Sequence, residues 1–87
     1  VISHITSDFR AAFARLPEHV RRQARAAYHL FCQDPHHPSL QFKSIVPSIY
    51  SVRIGPHYRA LGKRREDTII WYWIGSHADY DRLWKRQ

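Results

Sequence analysis

The apolar positions of this chain change period once, near its middle. Over the first third they recur at helical spacing: Phe9, Ala12, Phe13 and Leu16 at i, i+3, i+4 and i+7, then Val20, Ala24, Ala27, Tyr28 and Phe31. Thr6, Ser7 and Asp8 are N-cap candidates for a first helix ending near Leu16. Pro17 suits the first turn of a second helix, running to about Gln33, whose opposite, wet side carries Arg21, Arg22, Arg25 and His29. After the breaker-rich Asp34-Pro35-His36-His37-Pro38 the runs shorten and become β-branched or aromatic: Leu40 to Val46, Ser48 to Ile54, Tyr58 to Lys63 and Thr68 to Ile74. Pro47, Gly55-Pro56 and Arg64-Arg65-Glu66-Asp67 separate them, and strands joined by connections that short are antiparallel neighbours. Val1 to Ile5 is a candidate edge strand. Ser76 caps a final turn or helix in which Tyr80, Leu83 and Trp84 share a face. The expectation is an α+β fold, one domain over residues 1–87. An N-terminal helical hairpin packs across one face of a small antiparallel sheet of about four strands, followed by a short C-terminal helix or turn.

Composition narrows the function classes. Eighty-seven residues, 44% of them hydrophobic, suffice for one packed core. The net charge is +7, and eleven of the fourteen cations are Arg. Arginine's planar fork matches phosphate and carboxylate, so the imbalance points to a nucleic acid or an acidic protein partner. Cys32 is the lone cysteine, which excludes an internal disulfide, and its place on a helix with an apolar face makes it an expected buried, inert thiol. The seven His include the adjacent His36 and His37 but no HExxH and no Cys partner, so no metal and no cofactor are expected. No run approaches the ~20 apolar residues of a membrane span and no signal-peptide pattern is present. The sequence contains no Met, so the initiator is expected to be removed or to lie outside this numbering. A soluble cytoplasmic protein without membrane contact is the expectation.

The chemistry concentrates between Tyr50 and Leu83. Strand alternation sets Tyr50, Val52 and Ile54 on one face and Ser51 with Arg53 on the other, while Arg59 shares a face with His57 and Leu61. A three-residue connection, Gly55-Pro56-His57, pairs Arg53 with Arg59 and puts both guanidiniums on one face; a two-residue Gly-Pro turn pairs Val52 with Arg59 and splits them. Two arginines directly opposed repel unless an anion bridges them. In Trp71-Tyr72-Trp73-Ile74-Gly75-Ser76-His77, strict alternation turns Trp71 and Trp73 one way as core and Tyr72 and Ile74 the other. His77 follows the strand end, where a side chain projects at a sheet rim. With an unperturbed pKa of about 6.5 it can act as base or acid at neutral pH. Tyr80, three residues on, can donate to a phosphate or stack on a base. Lys43, Arg53, Arg59 and Lys63 form the candidate phosphate-binding set.

These residues carry a resemblance. The order of elements, the PHHPSLQFK segment, the SVRI…YRALG pair and the ending W-x-W-I-G-S-H-x-x-Y resemble the RelE/ParE superfamily of toxins from bacterial toxin–antitoxin systems, over roughly Phe9 to Leu83. The resemblance implies a compact toxin neutralised by a cognate antitoxin wrapped around it. For the RelE-like branch it implies metal-independent cleavage of mRNA on the ribosome; the ParE branch shares the fold and inhibits DNA gyrase instead. By position, Lys43 matches the basic residue that family nucleases carry before the hairpin, and Arg53 the phosphate-binding arginine. Arg59 falls in the YR dipeptide common to the superfamily. His77 stands where some members place a catalytic histidine, and Tyr80 approximates the C-terminal tyrosine. The expected catalytic set is therefore His77, Arg53, Tyr80 and Lys43, in an mRNA endoribonuclease that represses translation. A gyrase-directed toxin and a basic nucleic-acid-binding module are the alternatives.

Overall fold

The computed structural model describes residues 2–85, with side chains through Leu83. Val1 and the Trp84 side chain, both given a place from the sequence, lie outside the described residues. Thr6 caps α1 (Ser7–Ala14): its backbone is extended and its hydroxyl accepts the Phe9 N–H at 3.1 Å. Pro17 stands just before α2 (Glu18–Gln33), and the α2 stripe buries Val20, Ala24 and Phe31. Tyr28 and Cys32, expected on the buried stripe, are both exposed. Each lies one step around the helix from the line through Ala24 and Phe31 that meets the sheet. A hydrogen bond with Cys32 holds the Tyr28 hydroxyl's pKa above the ordinary phenol value.

Leu40 does not begin a strand. Pro38–Leu40 forms a 3-10 turn that ends on Gln41 at φ +47, and this left-handed step breaks the extended run. Leu40 is instead a core residue, 1% exposed. The strands that follow are β2 (Lys43–Val46), β3 (Ile49–Ile54), β4 (Tyr58–Arg65) and β5 (Thr68–Ser76), each antiparallel to the next. The N-terminal strand β1 (Ile2–Ile5) completes a sheet of order β1-β5-β4-β3-β2, running parallel to β5. The sheet is thus mixed and five-stranded where about four antiparallel strands were expected. β1 reaches the sheet through the helical hairpin, so no tight turn dictates its direction. The Trp71 indole N–H, donated to Ser3 Oγ at 3.1 Å, ties it to β5.

Register divides the sheet into two unlike faces. One carries Val52, Ile54, Ala60, Ile69, Trp71 and Ile74 against α1 and α2, and is the core. The other carries the cross-strand rows Lys43–Ser51–Leu61–Trp73 and Arg53–Arg59–Gly75. Trp71 and Trp73 stand on opposite faces, contrary to strict alternation. A bulge in β5 pairs Trp73 with Leu61 but Trp71 with Gly62, so Tyr72 is the extra residue and the parity flips there. On the second face lies the start of α3 (His77–Lys85), whose Tyr80 ring sits 6.4 Å from that of Trp73.

Candidate functional site

The β3–β4 connection is the three-residue Gly55-Pro56-His57, and it settles the register: Arg53 pairs with Arg59. The two guanidinium-bearing side chains therefore leave the sheet on the same side. Arg59 is 7% exposed. Its Nε and Nη2 donate to Ser51 Oγ at 2.9 and 2.6 Å, and Ser51 is itself fully buried. The guanidinium carbon lies 5.3 Å from the centre of the Tyr80 ring. Gly75, opposite Arg59, admits the Trp73 ring into this corner: a Cβ there would lie 2.7 Å from Trp73 Cζ2. Among the described residues no carboxylate pairs with Arg59. Its charge is held by a hydroxyl and the face of an aromatic ring. Arg53 is half-buried and donates Nε–H to the Gly55 carbonyl at 3.0 Å.

His77 opens α3 at the rim of the sheet. Its backbone N–H donates to the His57 carbonyl at 2.7 Å, fastening the start of α3 to the β3–β4 turn. Ser76 Oγ accepts the Asp79 N–H at 3.1 Å, the capping role expected of it. The exposed His77 ring stacks on Tyr80 at 6.0 Å and 25°, and its Nε2 lies 3.7 Å from Asp81 Oδ2. Tyr80 thus bridges the imidazole and the buried guanidinium.

Four of the six residues singled out from the sequence, Arg53, Arg59, His77 and Tyr80, converge on one corner of the sheet. Lys43 is exposed on the same face, opposite Ser51 and diagonal to Arg53. Lys63 shares the face but not the corner, since it lies four residues along β4 from Arg59, roughly 13 Å by strand rise. Two contributors were not read from the sequence as site residues. Ser51 was placed on the Arg53 face, but which cation it serves depended on the open register. Asp81 stands at i+4 from His77, a spacing visible once α3 begins at His77. The arrangement offers fixed cationic donors for an anion, with an imidazole and a phenol beside them. Among the described residues no group of three His, Cys, Asp or Glu side chains is placed to hold a metal, and no helix is long and apolar enough to cross a membrane.

Residues 18–82 match the family model of the ParE-like toxin domain. The chain belongs to this family. All six candidate residues of this ParE-like domain fall within the matched region. The RelE/ParE assignment drawn from the motif pattern agrees with it. The fold is also that of solved toxins. A chain of the RelB-RelE antitoxin–toxin complex from Methanococcus jannaschii superposes with a TM-score of 0.70 at 20% identity, over 93% of this chain and 98% of that one. The isolated E. coli RelE toxin gives 0.65 at 14% identity, over 98% and 96%. The E. coli DinJ-YafQ complex gives 0.64 at 12%, over 88% and 93%. At these identities the likeness concerns the fold. Among curated proteins, none matches the sequence.

Proposed function

We propose that this ParE-like domain is the toxin of a toxin–antitoxin pair and acts as a metal-independent endoribonuclease on mRNA at the ribosome. The observation that carries the reading is the buried Arg59 guanidinium, with no carboxylate partner among the described residues, opposed by Arg53 and roofed by Tyr80 beside His77. A buried charge is costly unless compensated. A phosphodiester entering from the α3 side supplies the missing negative charge and relieves the repulsion between the paired arginines.

The chemistry follows from the groups present. The 2′-oxygen of the RNA attacks the neighbouring phosphorus, and the bond from phosphorus to the 5′-oxygen breaks, leaving a 2′,3′-cyclic phosphate and a 5′-hydroxyl. One proton leaves the 2′-hydroxyl and one is delivered to the departing 5′-oxygen. His77 serves as base or acid for these transfers. Arg53 and Lys43 stabilise the extra negative charge on the phosphorane, with Arg59 as support. Tyr80 orients the substrate or stacks on a base. Lys63, along β4, contacts an outlying phosphate of the same strand. The ribosome supplies the positioning of the RNA, so the protein works in the cytoplasm. The solved RelB-RelE and DinJ-YafQ complexes support an antitoxin protein as the second partner.

In a reaction with programmed ribosomes, His77→Ala and Arg53→Ala are each expected to lower cutting by about 100-fold or more, the scale of a lost acid–base group, and to abolish growth arrest in cells. Unchanged cutting and arrest in both would remove this site. A second reading is favoured by the ParE-like family model itself: a toxin without nuclease activity that acts on DNA gyrase. It would give DNA-damage signalling with intact mRNA.

A further inference from the structure

Arg53 belongs to two places at once. On the second face it stands opposite Arg59; it also lines a groove of about 470 Å³ at the stretch of β3 beyond Ser51, where no β2 residue is paired. The groove runs between α2 and the β3–β4 turn. Leu30 and Pro56 give it apolar walls, and its polar groups come from Gln23, Ser39 and Arg53. The Gln23 amide packs over Gly55, which only glycine permits, because φ there is +57 and a Cβ would run into that amide. Among the described residues the amide makes no hydrogen bond with protein, so both its donor and its acceptor remain available to a ligand. Ser39 Oγ, bonded to His37 Nδ1 at 2.9 Å, retains further hydrogen-bonding capacity beside it.

We propose that this groove takes a single unstacked purine base of the RNA, the nucleotide flanking the scissile phosphate, and that Gln23 is a specificity residue for it. The inference rests on the nuclease reading and extends it from cleavage to choice of site. A side-chain amide and a guanidinium are the two groups that pair bidentately with purine edges, the amide with adenine N6 and N7 and the guanidinium with guanine O6 and N7. The apolar walls from Leu30 and Pro56 suit contact with the faces of a base, and single-stranded RNA is recognised through unstacked bases splayed into protein sites. Arg53 joins the groove to the corner that holds the phosphate, which fixes the base as a neighbour of the cut.

The test is 5′-end mapping of mRNA cut on programmed ribosomes by the wild-type chain, Gln23→Ala and Ser39→Ala, with thermal unfolding of each. The wild type is expected to favour a purine at one position next to the cut. Gln23→Ala should reduce that preference about tenfold while cutting at pyrimidine-flanked sites and the unfolding midpoint hold. Ser39→Ala should reduce it less. A variant that is merely misfolded lowers all sites alike and drops its unfolding midpoint; a ratio unchanged in both variants with the midpoints held overturns the inference, as does a wild type without purine preference. A wild type that cuts nothing overturns the nuclease reading, and the inference falls with it by that separate result.

Discussion

At the scale of single residues, the site depends on how Arg59 is held. Ser51 offers one oxygen to two guanidinium donors, and with 0% of its surface exposed it cannot be replaced there by water. Ser51→Ala leaves those donors unpaired, and hydrogen bonds to charged groups contribute about 1.5–3 kcal/mol. Urea unfolding is expected to show a loss of that size, with Arg59→Leu in the Ser51→Ala background recovering part of it. Tyr72, the bulge residue, carries a second signature. Partial burial, which leaves 37% of the residue exposed, raises its hydroxyl pKa modestly above the ordinary value of 10.0, and solvent screening keeps the effect small. The folded chain then holds the phenolic proton more tightly than the unfolded one. The corresponding stability is fully present below about pH 10 and is lost as pH climbs through the raised value. Unfolding midpoints measured from pH 9 to 11 should fall, and Tyr72→Phe should fall less. The placement of Arg53 on Ser51's face, and of His77 and Tyr80 just past a strand end, was legible from alternation and from the Gly75-Ser76 boundary; the pairing of Arg53 with Arg59 was left open. Ser51's role toward Arg59 was not legible, because a one-residue change in the Gly55-Pro56-His57 turn decides whether Arg59 shares the face of Ser51 and Arg53. Cys32 was misjudged because a helix one step off its buried line exposes a residue that a coarse stripe includes.

At the scale of elements, turns and caps account for most of what the pattern got right and wrong. The helical hairpin was legible because Phe9, Ala12, Phe13 and Leu16 repeat at one period and Thr6 supplies the cap. Three antiparallel pairings were legible because the breakers between runs are short. The parallel partner of β5 was not, since β1 joins the sheet through two helices and local pattern says nothing of its direction. The β5 bulge was hidden for a related reason: an extra residue in a strand of aromatics leaves no mark in composition. The β2–β3 connection is the two-residue Pro47-Ser48, with Ser48 at φ +72. That is the left-handed second central position of a type II turn, where glycine is preferred. A non-glycine residue there carries about 1–2 kcal/mol of strain. Ser48→Gly is therefore expected to raise the stability measured by urea unfolding by about 1 kcal/mol, after the entropic loss glycine brings. An unchanged or lower midpoint would show that the turn holds Ser48 without strain.

At the scale of the whole molecule, the two faces of one sheet divide the labour. The face under α1 and α2 is apolar and makes the fold; the face under α3 collects Lys43, Arg53, Arg59 and Lys63 and leaves His77 and Tyr80 at its rim. The excess charge of +7 seen in composition is thus placed in part on one side of the sheet, beside the groups able to move protons. RelE-like and ParE-like toxins share the architecture, so the fold alone does not choose between RNA and gyrase. What supports the nuclease proposal is the corner, with its buried guanidinium and adjacent imidazole. The most direct measurement is to induce the chain in cells and map mRNA 5′ ends, with a gyrase supercoiling assay on the purified protein alongside. The nuclease account requires new 5′ ends clustered within translated codons, absent in His77→Ala, and gyrase activity unaffected. Intact mRNA together with inhibited gyrase would contradict it.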